Sequence, residues 1–179
     1  MTGSLNAFSK SLASLCLIFL TEPLYREPLY TYSLTWIPAI QQASSPIEQS
    51  LWHLYSNMAL FCAFGLPFLH CFFWRRDYAL TVYYCVVISA LTFSMNFLKL
   101  RYHDPRPFWS SDAVQAFSCS RQYGNPSGHS MTAFCTLIFA LEGRHTGRPA
   151  KRRKRILVAV GFGVTVAYSR LFLGVHSLD

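Results

Sequence analysis

The residues best suited to do chemistry fall in three short stretches. The middle one, Asn125-Pro126-Ser127-Gly128-His129, opens directly into an apolar run from Met131 to Leu141. Asn125 suits a helix N-cap, and Pro126 suits the first helical position, where a missing N–H costs nothing. On that reading the N–H groups of Ser127, Gly128 and His129 lie free at a helix N-terminus, a setting that attracts phosphate. Gly128 has no side chain to keep an anion from the backbone. Taken alone, the pattern is most often a capped helix and nothing more.

Two further stretches add cations and a second imidazole. Upstream, Lys99 is followed after six residues by Arg106-Pro107; downstream, Ser169-Arg170 is followed after five residues by His176. Arginine's planar fork fits phosphate oxygens, and lysine adds a point charge. Singly, each basic residue reads as a side chain snorkelling at the end of an apolar run, and Arg101 and Arg121 keep that reading. Together, Lys99, Arg106 and Arg170 make a like-charge cluster that persists in a dry site only with an anion to neutralise it. Two histidines beside such a cluster suit acid–base work if one is held neutral and the other charged.

In this order and with these spacings, Lys-x6-Arg-Pro, Pro-Ser-Gly-His and Ser-Arg-x5-His resemble the three signature motifs of the type 2 phosphatidic acid phosphatase superfamily. Glucose-6-phosphatases and vanadium haloperoxidases belong to the same superfamily. The resemblance runs from Leu51 to Asp179. It implies that Lys99, Arg106, Ser127, Gly128 and Arg170 bind the substrate phosphate. It also implies that His176 attacks phosphorus to form a phosphohistidine, with His129 protonating the departing alkoxide. In the family an aspartate follows the nucleophile after three residues; here Asp179 follows after two. Positions i+3 and i+4 share one side of a helix, so Asp179 is open both to orienting the imidazole and to simple capping. The family chain continues for at least one more span, so this sequence is expected to be truncated at its C-terminus. No metal-ligand spacing is visible. Neither metal nor cofactor is expected, since cationic side chains take the place that magnesium holds in other phosphate enzymes.

The elements that position these residues are apolar. Of 179 residues, 52% are hydrophobic and 13% charged, about half the charge of an average soluble domain. The net charge of +8 is no nucleic-acid signal, because seven of the sixteen Lys and Arg lie between Arg144 and Arg155. A basic stretch between apolar runs reads as a cytoplasmic loop. Cys16, Cys62, Cys71, Cys85 and Cys135 sit in apolar runs as small fillers, with Cys119 alone in a polar loop. The expected fold is all-α, a polytopic transmembrane helix bundle of the type 2 phosphatidic acid phosphatase kind.

Along the chain, residues 1–50 read as an N-terminal interfacial or amphipathic segment and 51–179 as the transmembrane phosphatase domain. Leu12 to Leu20 is short for a span, and Pro23, Pro28, Pro38 and Pro46 break the stretch after it. Trp36, Ile37, Ile40 and Ala43 recur at helical spacing with Gln41 and Gln42 opposite, as in a helix lying in the headgroup layer. Four spans are expected: Leu51–Trp74, Tyr78–Leu98, one opening at Pro126 and ending near Glu142, and Ile156–Leu173, stopped by Gly174. Gly161 and Gly163 suggest close helix packing in the last. His53 and His70 sit near span ends and receive no role.

If spans alternate, Arg75-Arg76 and the 144–155 loop share the cytoplasmic side. The 99–126 loop and the Arg170–His176 segment then meet on the lumenal or extracellular side. The expected function is an integral membrane phosphatase hydrolysing a phosphomonoester at that face. A lipid phosphate (phosphatidate, sphingoid or prenyl) is the favoured substrate. The compact Arg75–Asp77 turn and Phe108-Trp109 also resemble the glucose-6-phosphatase side of the superfamily. A sugar phosphatase is therefore one alternative, and a non-catalytic membrane scaffold another.

Overall fold

The computed structural model describes residues 2–134 and 149–178. Among the described residues every regular element is helical. Helix α1 (Thr2–Gln42) runs for 41 residues, straight through Pro23, Pro28 and Pro38. The sequence pattern predicts breaks there, because each proline removes one hydrogen bond and crowds the preceding turn. Tertiary packing overrides that local cost. Ile37 is fully buried against Val114 and Leu171, and Leu34 and Ile40 pack on the same cluster. Gln41, expected on the polar face, is buried as well.

Helix α2 (Pro46–Leu69) opens with a capping box, in which the Ser45 hydroxyl accepts from the Glu48 N–H and the Glu48 carboxylate accepts from the Ser45 N–H. It ends in a five-residue π turn, His70–Trp74. Arg75-Arg76-Asp77 then reverses the chain, with Arg76 at φ 50°. Asp77 caps helix α3 (Tyr78–Tyr102) by accepting from the Leu80 N–H. The helix outlasts the expected Leu98, so Lys99 sits in its last turn. His103, at φ 55°, closes it. Pro107 starts the short helix α4 (Pro107–Ser110) inside the polar connection.

Helix α5 begins at Gly128, and its described part covers 128–134. Its cap differs from the expected one. Asn125-Pro126 is a cis peptide lying before the helix, and Ser127 is the capping residue. The Ser127 hydroxyl accepts from the Ser130 N–H at 3.4 Å, and its carbonyl accepts from the Met131 N–H at 2.9 Å. Residues 135–148, which hold the rest of the expected third span, lie outside the described residues. Helix α6 (Pro149–Phe172) starts inside the basic stretch rather than after it, so Lys151 to Arg155 form its first turns.

Among the described residues two stretches, Pro46–Trp74 and Tyr78–Ser110, are long and apolar enough to cross a membrane, and Ile156–Phe172 is a shorter apolar helix. Phe61, Phe93, Phe97 and Val164 point outward, as side chains in contact with lipid do. The interior seam is built from small residues: Ala59 of α2, Ala133 of α5 and Val166 of α6 form one buried cluster. Gly163 is buried there, and any Cβ on it would lie 2.6 Å from the Phe134 ring. Gly161, by contrast, is exposed and faces open space. Gly174, at φ +70°, ends α6 as the sequence predicts, its N–H bonded to the Leu171 carbonyl.

Candidate active site

The last turn of α3, the connection after it, the start of α5 and the end of α6 meet around one cavity of about 260 Å³. Lys99, Arg106, Gly128, His129, Arg170 and His176 all line it. Six of the eight residues expected at the site from sequence thus line one cavity. Ser127 is not among the lining residues; its hydroxyl faces Ser130 as the α5 cap. Asp179 lies outside the described residues.

The three cations are buried, yet among the described residues none of them forms an ion pair. Neutral oxygens hold them instead. Lys99 Nζ donates to the Tyr123 carbonyl at 2.9 Å. Arg106 is fixed along its whole fork: Nε donates to the Gln122 carbonyl at 2.6 Å, Nη2 to the Tyr123 carbonyl at 3.3 Å and Nη1 to the Val175 carbonyl at 2.5 Å. Arg170 Nη1 donates to the Ser56 hydroxyl of α2 at 2.8 Å. Arg170 Nε is buried with no partner among the described residues. Carbonyls and hydroxyls orient a guanidinium without cancelling its charge, so three positive charges still face the cavity. Such a set is stable in a dry site only when an anion joins it.

Arg106 Nη1 also lies 3.4 Å from His176 Nε2. A guanidinium carries donors only, so Nε2 must be the acceptor and the ring proton sits on Nδ1. Burial, then the charges of Arg106 and Arg170, hold the His176 pKa well below 6.5. The imidazole is therefore neutral, with its Nε2 lone pair turned toward the cations and accepting from Arg106. That is the form a nitrogen nucleophile requires.

His129 lines the cavity one residue into α5, next to Gly128. A Cβ at position 128 would lie 2.6 Å from Met95 Sδ, so the wall of α3 closes directly on this glycine. The glycine's role here is close helix approach, beside the role of admitting an anion. Much of the remaining lining is apolar: Leu60 and Phe64 of α2, Leu91 and Met95 of α3, and Met131 of α5. The cavity thus joins charged side chains to an apolar lining drawn mainly from α2 and α3.

Several contributors to the site carry little or no signature in the sequence. Ser56 looks like any small polar residue in an apolar run, and nothing in its context signals a partner 114 positions away. Backbone carbonyls of Gln122, Tyr123 and Val175 carry no side-chain identity. Ser120 and Gln122 line the cavity from the connection, and only the presence of polar residues between two motifs hinted at them.

No curated protein matches the chain. Among solved structures, the fold is similar to a transmembrane PAP2-type phosphatidylglycerolphosphate phosphatase from Bacillus subtilis, with a TM-score of 0.71 at 20% identity. That likeness covers 93% of this chain and 84% of the other. A sequence profile of the PAP2 superfamily matches residues 78–179, which hold every motif described above. The match spans more than half of the chain, and the protein belongs to the PAP2 superfamily.

Proposed function

We propose that this chain is an integral membrane phosphatase that hydrolyses a phosphomonoester carried by a lipid, through a phosphohistidine on His176. The family and the solved neighbour support a membrane phosphatase. The observation that carries the finer reading is the cavity itself. Three buried cations without a carboxylate partner among the described residues share the cavity with two imidazoles, and much of the remaining lining comes from the two membrane-length helices. The cations suit the phosphate and the apolar lining suits an acyl or prenyl chain.

In the proposed reaction Lys99, Arg106 and Arg170 take the phosphate oxygens, with the N–H groups at Gly128 and the Ser127 end of α5 beside them. The His176 Nε2 lone pair forms a bond to phosphorus as the P–O bond to the alcohol breaks. His129, which takes up a proton as the bound phosphate offsets the charge of the surrounding cations, gives that proton to the leaving oxygen. Water then attacks the phosphohistidine, His129 takes the proton, the P–N bond breaks and inorganic phosphate leaves. Asp179 is assigned the orienting of His176 Nδ1–H. For sidedness, the positive-inside bias puts Arg75-Arg76 and Lys151 to Arg155 in the cytoplasm. The cavity, at the other ends of α3 and α6, then opens to the lumenal or extracellular face.

The test is phosphate release in detergent micelles with EDTA present, using a short-chain phosphatidate, a sphingoid phosphate and glucose 6-phosphate. Release from a lipid substrate that His176→Ala abolishes is the expected result. Preference for glucose 6-phosphate would move the assignment to a sugar phosphatase. Loss of release on adding EDTA would overturn the metal-free mechanism.

A further inference from the structure

On α1, the residues 33, 37 and 41 form one stripe, spaced four apart on a single helix face. All three are buried, although two are polar: Ser33 and Ile37 are 0% exposed and Gln41 5%. A buried polar side chain is stable only with its hydrogen bonds made, and here each of the two polar residues shares one bond with the segment that carries His176. The Gln41 amide is fully engaged. Its Oε1 accepts from the Gln115 N–H at 2.9 Å, and its Nε2 donates to the Gln115 carbonyl at 2.8 Å and to the Phe172 carbonyl at 3.0 Å. The Ser33 hydroxyl donates to the Leu29 carbonyl of its own helix at 2.7 Å and accepts from the Leu178 N–H at 2.9 Å. Between them Ile37 packs on Leu171.

The two polar anchors therefore grip Phe172 and Leu178, the two sides of the segment that carries His176. Eight residues of helix separate them, about 12 Å along the axis. The α6 end between them is shaped to fit: a Cβ on Gly174 would lie 2.4 Å from the Gln115 carbonyl and 3.0 Å from Gln41 Nε2. The residue at position 174 must lack a side chain for this grip to form.

We infer that Gln41 and Ser33 are positioning residues for His176, so that α1, which bears none of the three motifs, is a working part of the catalytic apparatus. They act through the backbone of 172–178 and touch neither phosphate nor the cations. The inference rests on reading His176 as the nucleophile. A displacement of about 1 Å at a reacting group costs about 100-fold in rate. Loosening the grip should therefore lower kcat, while phosphate binding by Lys99 and Arg170, which are held from Tyr123 and Ser56, persists.

The experiment compares Gln41→Met, Ser33→Ala and His176→Ala with the parent chain in micelles. It measures kcat, KM and the inhibition constant of inorganic phosphate. Gln41→Met keeps the volume and loses all three bonds; Ser33→Ala is the milder change, and Ser33→Thr restores the hydroxyl. The expected result is a kcat lowered about 10- to 100-fold in Gln41→Met. A smaller loss is expected in Ser33→Ala, recovered in Ser33→Thr, with KM and the phosphate inhibition constant near those of the parent. Unchanged kcat in both Gln41→Met and Ser33→Ala would overturn the inference. So would parallel loss of turnover and phosphate binding, which marks a general structural role. Full turnover by His176→Ala would overturn the nucleophile reading itself, whatever the α1 variants do.

Discussion

Two arginine sites of this molecule are built in opposite ways. Arg26, on α1, lies in a partly exposed cluster with carboxylates: Nη1 is 3.3 Å from Glu22, Nη2 is 3.8 Å from Asp104, and the guanidinium sits 5.5 Å over the Tyr102 ring. Arg106 and Arg170 are buried and, among the described residues, bonded only to neutral acceptors: carbonyls, a hydroxyl and the His176 ring. The first arrangement neutralises its charge locally and ties α1 to the end of α3. The second fixes the guanidinium planes and leaves their charge for a ligand. Neutral acceptors around a buried cation are thus a physical mark of an anion site, and carboxylate acceptors are the mark of a structural tie.

That contrast can be broken most severely by giving the buried site a carboxylate of its own. Ser56→Asp places an anion at the atom that now accepts from Arg170. It is expected to lower kcat/KM about 100- to 1000-fold, as loss of one transition-state donor does. Ser56→Ala removes the tether without neutralising the charge. It should cost about tenfold, the worth of one hydrogen bond to a charged group. Steady-state kinetics of the two variants side by side checks the order; equal losses would mean that Ser56 matters for packing alone.

The pH profile sharpens the comparison next. The surrounding cations and burial depress the His176 pKa well below 6.5. Its neutral form therefore survives as pH falls through 6.5, and the acid limb of kcat/KM, which reports the ligand-free site, lies well below that value. Removing a neighbouring charge by Arg170→Gln should move that limb upward, toward 6.5, beside its effect on rate. A limb that stays in place would show that Arg170 does not act on His176 electrostatically.

The smallest effect is expected at the other site. Arg26→Met should lower stability by about 0–1 kcal/mol, the range of exposed ion pairs, with kcat unchanged. Thermal unfolding in detergent together with the phosphate-release assay checks both halves.

The chemistry of this protein was legible where it is written in side chains. Lys99, Arg106, Gly128, His129, Arg170 and His176 are identifiable by type and spacing, and the fold brings them to one cavity. What holds them was not legible. The Arg106 fork is set by three backbone carbonyls, and any residue supplies a carbonyl. Asn125-Pro126 is a good local helix start, whereas the chain begins its helix at Gly128 with Ser127 as cap. Helix α1 was expected to break at its prolines. A proline's cost of about 3 kcal/mol is local, whereas the burial of Ser33, Ile37 and Gln41 that offsets it depends on residues more than 70 positions away. Gln41 was assigned to the polar face for the same reason, since its partners lie on the connection and on α6.

The most direct test of the account is a single-turnover experiment with a lipid phosphate labelled at phosphorus, quenched in alkali within the first turnover. The account predicts label bound to the protein, stable in alkali and released by acid, as a phosphohistidine is, and absent from His176→Ala. Full phosphate release with no label on the protein at any time would contradict it, since water would then attack phosphorus directly and His176 would not be the nucleophile.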